Sequence, residues 1–421
     1  MNEQKSNLNA MVIMAILFFV FGFVTWLNGP LITYVKLAFG LDTDSKAFMV
    51  TTAFYMAYFF LALPSSWVLE RTGMKKGMAM ALMVMAIGTY LFGKYATDRN
   101  YTLSLVGLFV IGSGLSLLQT ASNPYISIIG PIESAARRIS IVGICNKVAG
   151  IISPIVLSAF VLKGLTQLEA RVNAAADQAE KDIILGEFAS KIYTPYVIMA
   201  AVLLALGFWI LRSSLPEINS SQANVQTTND HTPANDKKSI FQFSHLWLGA
   251  LAIFFYVGAE VMAGDAIGTY GNGFHIPADE TKYFTSYTLA AMLLGYLIGL
   301  FTIPKYISQQ NALKYSAILG ILFTFMAFVT TGYISVSFVA ALGLANALMW
   351  PAIFPMAITG LGRFTEKGSA ILVMGIVGGA LIPKAFAAFK ETYNFQATFF
   401  WIMLPCYLYI LYYSIWGYKP K

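Results

Sequence analysis

Charged and amide side chains are rare inside the long apolar runs of this chain, so the few that occur there mark where chemistry is done. Glu260 and Asp265 lie in the run that opens at His245, and Asn146 and Lys147 lie in the one that opens at Ile139. Asn28 follows Trp26-Leu27, while Gln119, Thr120, Ser122 and Asn123 precede Pro124 and Tyr125, and Asn346 stands four residues before Trp350. A polar group in hydrocarbon must meet a partner helix, a water-filled cavity or an ion. One reading makes Asn28, Gln119, Asn123, Asn146 and Asn346 hydrogen-bonding glue between helices. The other takes them together with Trp26, Tyr125, Tyr256 and Trp350 as a binding site. Amides match hydroxyl donors and acceptors, and ring faces cover the apolar face of a pyranose, so this inventory suits a neutral sugar. An anion would call for converging Arg or Lys, of which only Lys147 is deep, and an organic cation for more acid than Glu260 and Asp265.

Glu260 and Lys147 admit two roles. They pair across helices as a structural bridge, or Glu260 exchanges a proton or holds a cation during a transport cycle with Lys147 as its electrostatic partner. A sodium ion, if one is carried, belongs near Glu260. Asp265 is nearer the outer end of its helix; it completes the ion-coupling candidates, with solvation the expectation for it. Cys145 and Cys406 sit in apolar runs and His231, His245 and His275 are scattered, so no metal site, disulfide framework or resident cofactor is expected. Gly112-x-Gly114 opens no strand-to-helix turn, which argues against dinucleotide binding. A membrane enzyme would need an acid or His with metal or nucleophile partners, and the spacing offers none.

The elements that must position these residues follow from composition. Hydrophobic residues make up 57% of the 421, and charged ones 11%, against roughly 25% charged in soluble domains. Some 240 apolar residues furnish roughly twelve spans of about 20 each, predicting an all-α membrane protein in a lipid bilayer. Spans are expected near 11–36, 47–69, 77–96, 101–130, 139–162, 192–213, 245–271, 283–303, 312–332, 335–361, 368–389 and 395–416. The first lacks a small-residue cleavage site and reads as a retained helix. The net charge of +7 fits basic cytoplasmic loops rather than nucleic-acid binding. Arg71, Lys75, Lys76, Arg137, Arg138, Arg363 and Lys367 fall on one side when both termini are cytoplasmic.

Pro216 to Ser244 is polar and reads as a flexible linker, dividing the chain into six-helix halves at 1–213 and 245–421, with 214–244 between them. Between Lys163 and Lys191, Leu165, Leu168, Val172, Ala175, Ala176 and Ala179 predict a short amphipathic surface helix. Phe18-Phe19-x-x-Gly22 recurs as Phe254-Phe255-x-x-Gly258. Pro124 and Pro351 each precede a basic loop and an Ile-Val-Gly stretch that closes at Pro154 or Pro383. Parallel repeats of this kind place a substrate site centrally, between halves related by an axis along the membrane normal.

Ser66-x-x-x-Glu70-Arg71-Thr72-Gly73-Met74-Lys75-Lys76 resembles a degenerate form of the basic loop between helices two and three of the major facilitator superfamily. Leu118-Gln119-Thr120-Ala121-Ser122-Asn123-Pro124-Tyr125, Tyr256-Val257-Gly258-Ala259-Glu260, Pro351-x-Ile353-Phe354 and Val373-Met374-Gly375-Ile376-Val377-Gly378-Gly379 resemble the fucose permease group. Asn28 and Gln119 are amides where fucose permeases carry acids, Glu260 stands where they have Gln, and Trp350 where they have Tyr. Trp26-Leu27-Asn28-Gly29 and the helix-four amides are more similar to the glucose, galactose and N-acetylglucosamine transporters of that group. The resemblance implies import of a monosaccharide by alternating access, coupled to H+ or Na+, by a bacterial inner-membrane protein acting as a monomer. A passive facilitator or exporter of the same fold and a nontransporting sugar sensor are the rival readings.

Overall fold

The structure is a computed structural model that describes residues 2–128, 135–216, 239–303 and 305–419. Most of the expected linker, including His231, lies outside the described residues. Among the described residues, twelve helices are long and apolar enough to cross a membrane: Asn9–Ala38, Asp44–Thr72, Met74–Thr97, Tyr101–Asn123, Arg138–Phe160, Gln178–Arg212, Ser244–Gly264, Ala278–Thr302, Gln309–Val329, Gly332–Ile358, Lys367–Phe389 and Phe395–Gly417. They are called the first to twelfth spans below. The near face is the one at which the first span begins, and the far face is opposite.

Several spans are broken where the sequence suggested continuity. The first is helical over Asn2–Thr25 and again over Asn28–Ala38. Pro30 has no amide hydrogen, and its ring crowds the carbonyl four residues back, that of Trp26, so the turn falls at Trp26-Leu27. In the tenth span Gly332–Asn346 is followed by Met349–Ile358, and the break again falls about four residues before a proline, Pro351. The seventh ends at Gly264, and a separate short helix covers Ile267–Asn272, where one helix to 271 was expected.

The surface segment before the sixth span also differs from expectation. Two helices form, Leu165–Ala174 and Gln178–Ser190. The backbone turns extended at Ala175, and the Asp177 side chain caps a new helix by accepting the Glu180 amide at 2.8 Å. Leu165 and Leu168 are buried as the periodicity required, whereas Ala176 and Ala179 are exposed beyond the break.

Packing repeats with a period of six spans. The first span packs on the fifth as the seventh does on the eleventh; the third on the fourth as the ninth on the tenth; the third on the sixth as the ninth on the twelfth. The crossing contacts are likewise paired, fifth on eighth and second on eleventh. The duplicated glycines explain part of this. A Cβ at Gly22 would lie 2.2 Å from the Asn146 carbonyl oxygen on the fifth span, and one at Gly258 would lie 2.1 Å from Ile382 on the eleventh. At Gly22 the neighbour is backbone and only glycine fits, while at Gly258 it is the Ile382 side chain that would have to shift; each glycine sits where its span crosses its partner.

The far face is closed by ties between the first six spans and the last six. Lys390 pairs with Asp44, Lys384 Nζ reaches Ser45 Oγ at 2.9 Å, and the Ser45 amide donates to Glu391 at 2.9 Å. Thr166 Oγ1 donates to Asp279 at 2.7 Å, and Lys282 Nζ donates to the Leu162 carbonyl at 3.1 Å.

Candidate functional site

Between the two sets of spans lies a cavity of about 790 Å³ including its open mouth. Its walls include residues from the middle of the second and seventh spans and from the near halves of the fourth, fifth, eighth and tenth. Ile139, near the start of the fifth helix, and Asn123, late in the fourth, carry it toward the near face while the far-face ties close the other end.

Eight of the residues singled out from sequence line this cavity: Trp26, Gln119, Asn123, Asn146, Lys147, Tyr256, Glu260 and Trp350. The broken first span sets Trp26 there. Its ring is wedged between Gly150 and Gly264, since a Cβ at either position would come within 2.5 and 2.6 Å of the indole. The Lys147 ammonium stands 4.6 Å above that ring and 6.0 Å from the Tyr296 ring, a range at which a desolvated cation is attracted to the π face. Lys147 Nζ also donates to Glu260 Oε1 at 3.0 Å, with both side chains about nine-tenths buried. The pair is therefore formed in this conformation. Gln119 and Asn123 are one turn apart on an unbroken helix, so both face inward. Gln119 Nε2 donates to Tyr58 at 3.3 Å, and Asn146 Nδ2 to the Phe18 carbonyl at 3.3 Å. Trp350 stacks on Phe354 with centroids 5.5 Å apart and lies 6.4 Å from Tyr256.

Four candidates fall elsewhere. Asn346 is fully buried, and its Oδ1 accepts the Tyr407 hydroxyl at 2.9 Å; the break at Ala347-Leu348 interrupts the helix that would have set it on the face of Trp350. Tyr125 lies two residues beyond Asn123, about 200° round the helix, and donates to the Pro216 carbonyl at 3.1 Å. Asn28 is past the turn in the first span, 1% exposed and off the cavity wall. Asp265, expected to be solvated, is 2% exposed. The short helix Ile267–Asn272 and the start of the eighth span continue the protein beyond it toward the far face, shutting water out.

Residues absent from the sequence reading also line the cavity, chiefly Tyr55, Tyr58 and Tyr296. Tyr55 and Tyr58 stack with centroids 6.3 Å apart. Their spacing of three on one helix was the available signal, but nothing separates it from ordinary aromatic packing in a chain with 23 tyrosines. The assembled wall presents amide and phenolic hydrogen-bonding groups, indole faces and one internally compensated ion pair. It can bind an uncharged polar molecule and exchange charge at the pair.

A twelve-span bundle repeated by sixes around such a cavity is the architecture of an alternating-access transporter. The chain belongs to the Major Facilitator Superfamily, whose profile matches residues 14–384, and within it to the fucose-permease-like group. It is 33% identical to the "Glucose/galactose transporter" of Brucella abortus biovar 1 (strain 9-941), covering 99% of this chain and 96% of that one. It is 27% identical to the "L-fucose-proton symporter" of Escherichia coli (strain K12), over 90% and 86% of the two chains. Its fold is similar to the crystal structure of the transporter FucP in the outward conformation, at a TM-score of 0.76 and 22% identity, over 98% and 99% of the chains.

Proposed function

We propose that this protein imports a neutral monosaccharide of the glucose or galactose class together with a proton, by alternating access. The observation that carries the reading is the cavity wall: Gln119, Asn123 and Asn146 with Trp26, Tyr256 and Trp350, and a single ion pair at its side. Hydroxyls of a hexose exchange hydrogen bonds with the amides, and indole faces cover its C–H patches. The names of the Brucella and Escherichia relatives support the sugar and the proton respectively.

Glu260 is the coupling group. Paired with Lys147 it is compensated, and release from Lys147 leaves a buried carboxylate that must take up a proton. The protein acts as a monomer in a bacterial inner membrane. Both termini are cytoplasmic, so the near face is the cytoplasmic one and the conformation faces inward. The halves 1–213 and 245–421, joined by 214–244, rock about the cavity.

Counterflow in proteoliposomes against a panel of hexoses and N-acetylglucosamine, with pH and sodium gradients imposed separately, tests this. Saturable exchange of a hexose with accumulation under a pH gradient is expected. Accumulation under a sodium gradient alone replaces the proton. Exchange indifferent to both gradients reduces Lys147–Glu260 to a structural bridge in a passive facilitator, and binding without exchange makes the protein a sensor.

A further inference from the structure

Five residues beyond Glu260, at the end of the seventh span, the Asp265 carboxylate is closed off from solvent, and neither of its oxygens has a hydrogen-bond partner among the described residues. Backbone rather than a basic group lies against it: a Cβ at Gly29 would come within 3.3 Å of Oδ1. On the first span the neighbouring Asn28 keeps its Nδ2 without an acceptor. From the second span Tyr55 faces both Asn28 and Asp265. Glu260 on its own helix and Lys147 on the fifth are the charged groups that face it, and those two are already engaged with each other at 3.0 Å. From the eighth span the nearest polar side chain, Thr285, spends its hydroxyl on the Gly264 carbonyl at 2.8 Å.

We propose that Asp265 is a proton-binding site, loaded from the far face and occupied in this conformation. An ionised carboxylate with no cation paired to it and only the Gly29 backbone facing it is far more costly to bury than the neutral acid, so the group persists here by holding a proton. The position also fits loading from the far side. Asp265 lies at the far end of its span, beneath the Thr166–Asp279 and Lys282–Leu162 ties, and opening those ties would bring solvent to it before it reached Glu260. In this conformation, closed at the far face, Glu260 is held by Lys147 and the proton sits on Asp265. One proton thereby has two stations on the seventh span.

This inference rests on the proton-coupled reading above for its role in transport, but not for the protonation itself. Infrared difference spectra of the purified protein, titrated from acid to alkaline pH, read the protonation directly. A protonated-carboxyl band that is lost in Asp265→Asn and kept in Glu260→Gln is expected. A band set unchanged by Asp265→Asn overturns the proposal. In proteoliposomes the ratio of protons to hexose moved, from internal pH and labelled sugar in the same vesicles, should collapse in Asp265→Asn; an unchanged ratio overturns the transport role. If the wild type moves no hexose, the sugar assignment falls while the infrared result still decides Asp265.

Discussion

Replacing Lys147 by Met removes the cation of the buried pair and keeps the length of the side chain. Glu260 Oε1 loses its 3.0 Å donor in a site where its side chain is 11% exposed. Breaking a buried pair from one side costs about 3–5 kcal/mol, because the surviving charge is left uncompensated. The loss of the ammonium over Trp26 adds about 1–2 kcal/mol. Glu260→Gln is the milder change, since Lys147 keeps the Trp26 and Tyr296 faces at 4.6 and 6.0 Å and gains a neutral acceptor. The double variant Lys147→Met/Glu260→Gln carries no buried charge at all and should recover most of the Lys147→Met loss. For units of 150–250 residues, 1 kcal/mol shifts Tm by roughly 2–4 °C, so Lys147→Met should lower the melting temperature in detergent by on the order of 10 °C. The double variant should return close to Glu260→Gln. Strictly additive Tm shifts around the cycle would refute the claim that the two charges compensate each other.

Two further outcomes follow from the cavity and the bundle. Gln119→Ala should weaken hexose binding by about 1–3 kcal/mol, since a buried hydroxyl loses its partner, and Trp350→Ala should weaken it further by removing a stacking face; titration calorimetry in detergent reads both, and wild-type affinity in both variants would make these residues structural only. Gly22→Ala should destabilise the bundle by about 1–3 kcal/mol, because its Cβ cannot fit 2.2 Å from the Asn146 carbonyl without moving backbone; an unchanged Tm would show that the first and fifth spans separate without cost.

The spans and their twofold repeat, six spans to a copy, were legible because both depend on the length and order of apolar runs, which packing does not alter. Where a helix is unbroken, the site was legible too: Gln119 and Asn123, four apart, share a face as the periodicity requires. Asn346 and Trp350 have the same spacing and do not, because the turn between Asn346 and Met349 falls between them. In the sequence Pro351 reads only as part of the repeat and the span as continuous, and the rotation that the proline permits depends on the neighbouring helices. Asp265 shows a second limit. Its position near a helix end suggested water, and only the folded path of Ile267–Asn272 and the eighth span reveals that protein covers it.

In the proposed cycle a proton gradient, acting through Glu260, drives hexose uphill. The most direct measurement places wild-type and Glu260→Gln proteins in vesicles with an alkaline interior and follows labelled galactose or glucose, with Tm recorded for both proteins. Wild type should concentrate the sugar above its external level and lose that excess when the pH gradient is collapsed, while a folded Glu260→Gln protein should bring the sugar only to equality. Concentration by Glu260→Gln matching the wild type, or wild-type concentration that survives collapse of the pH gradient, would contradict the account.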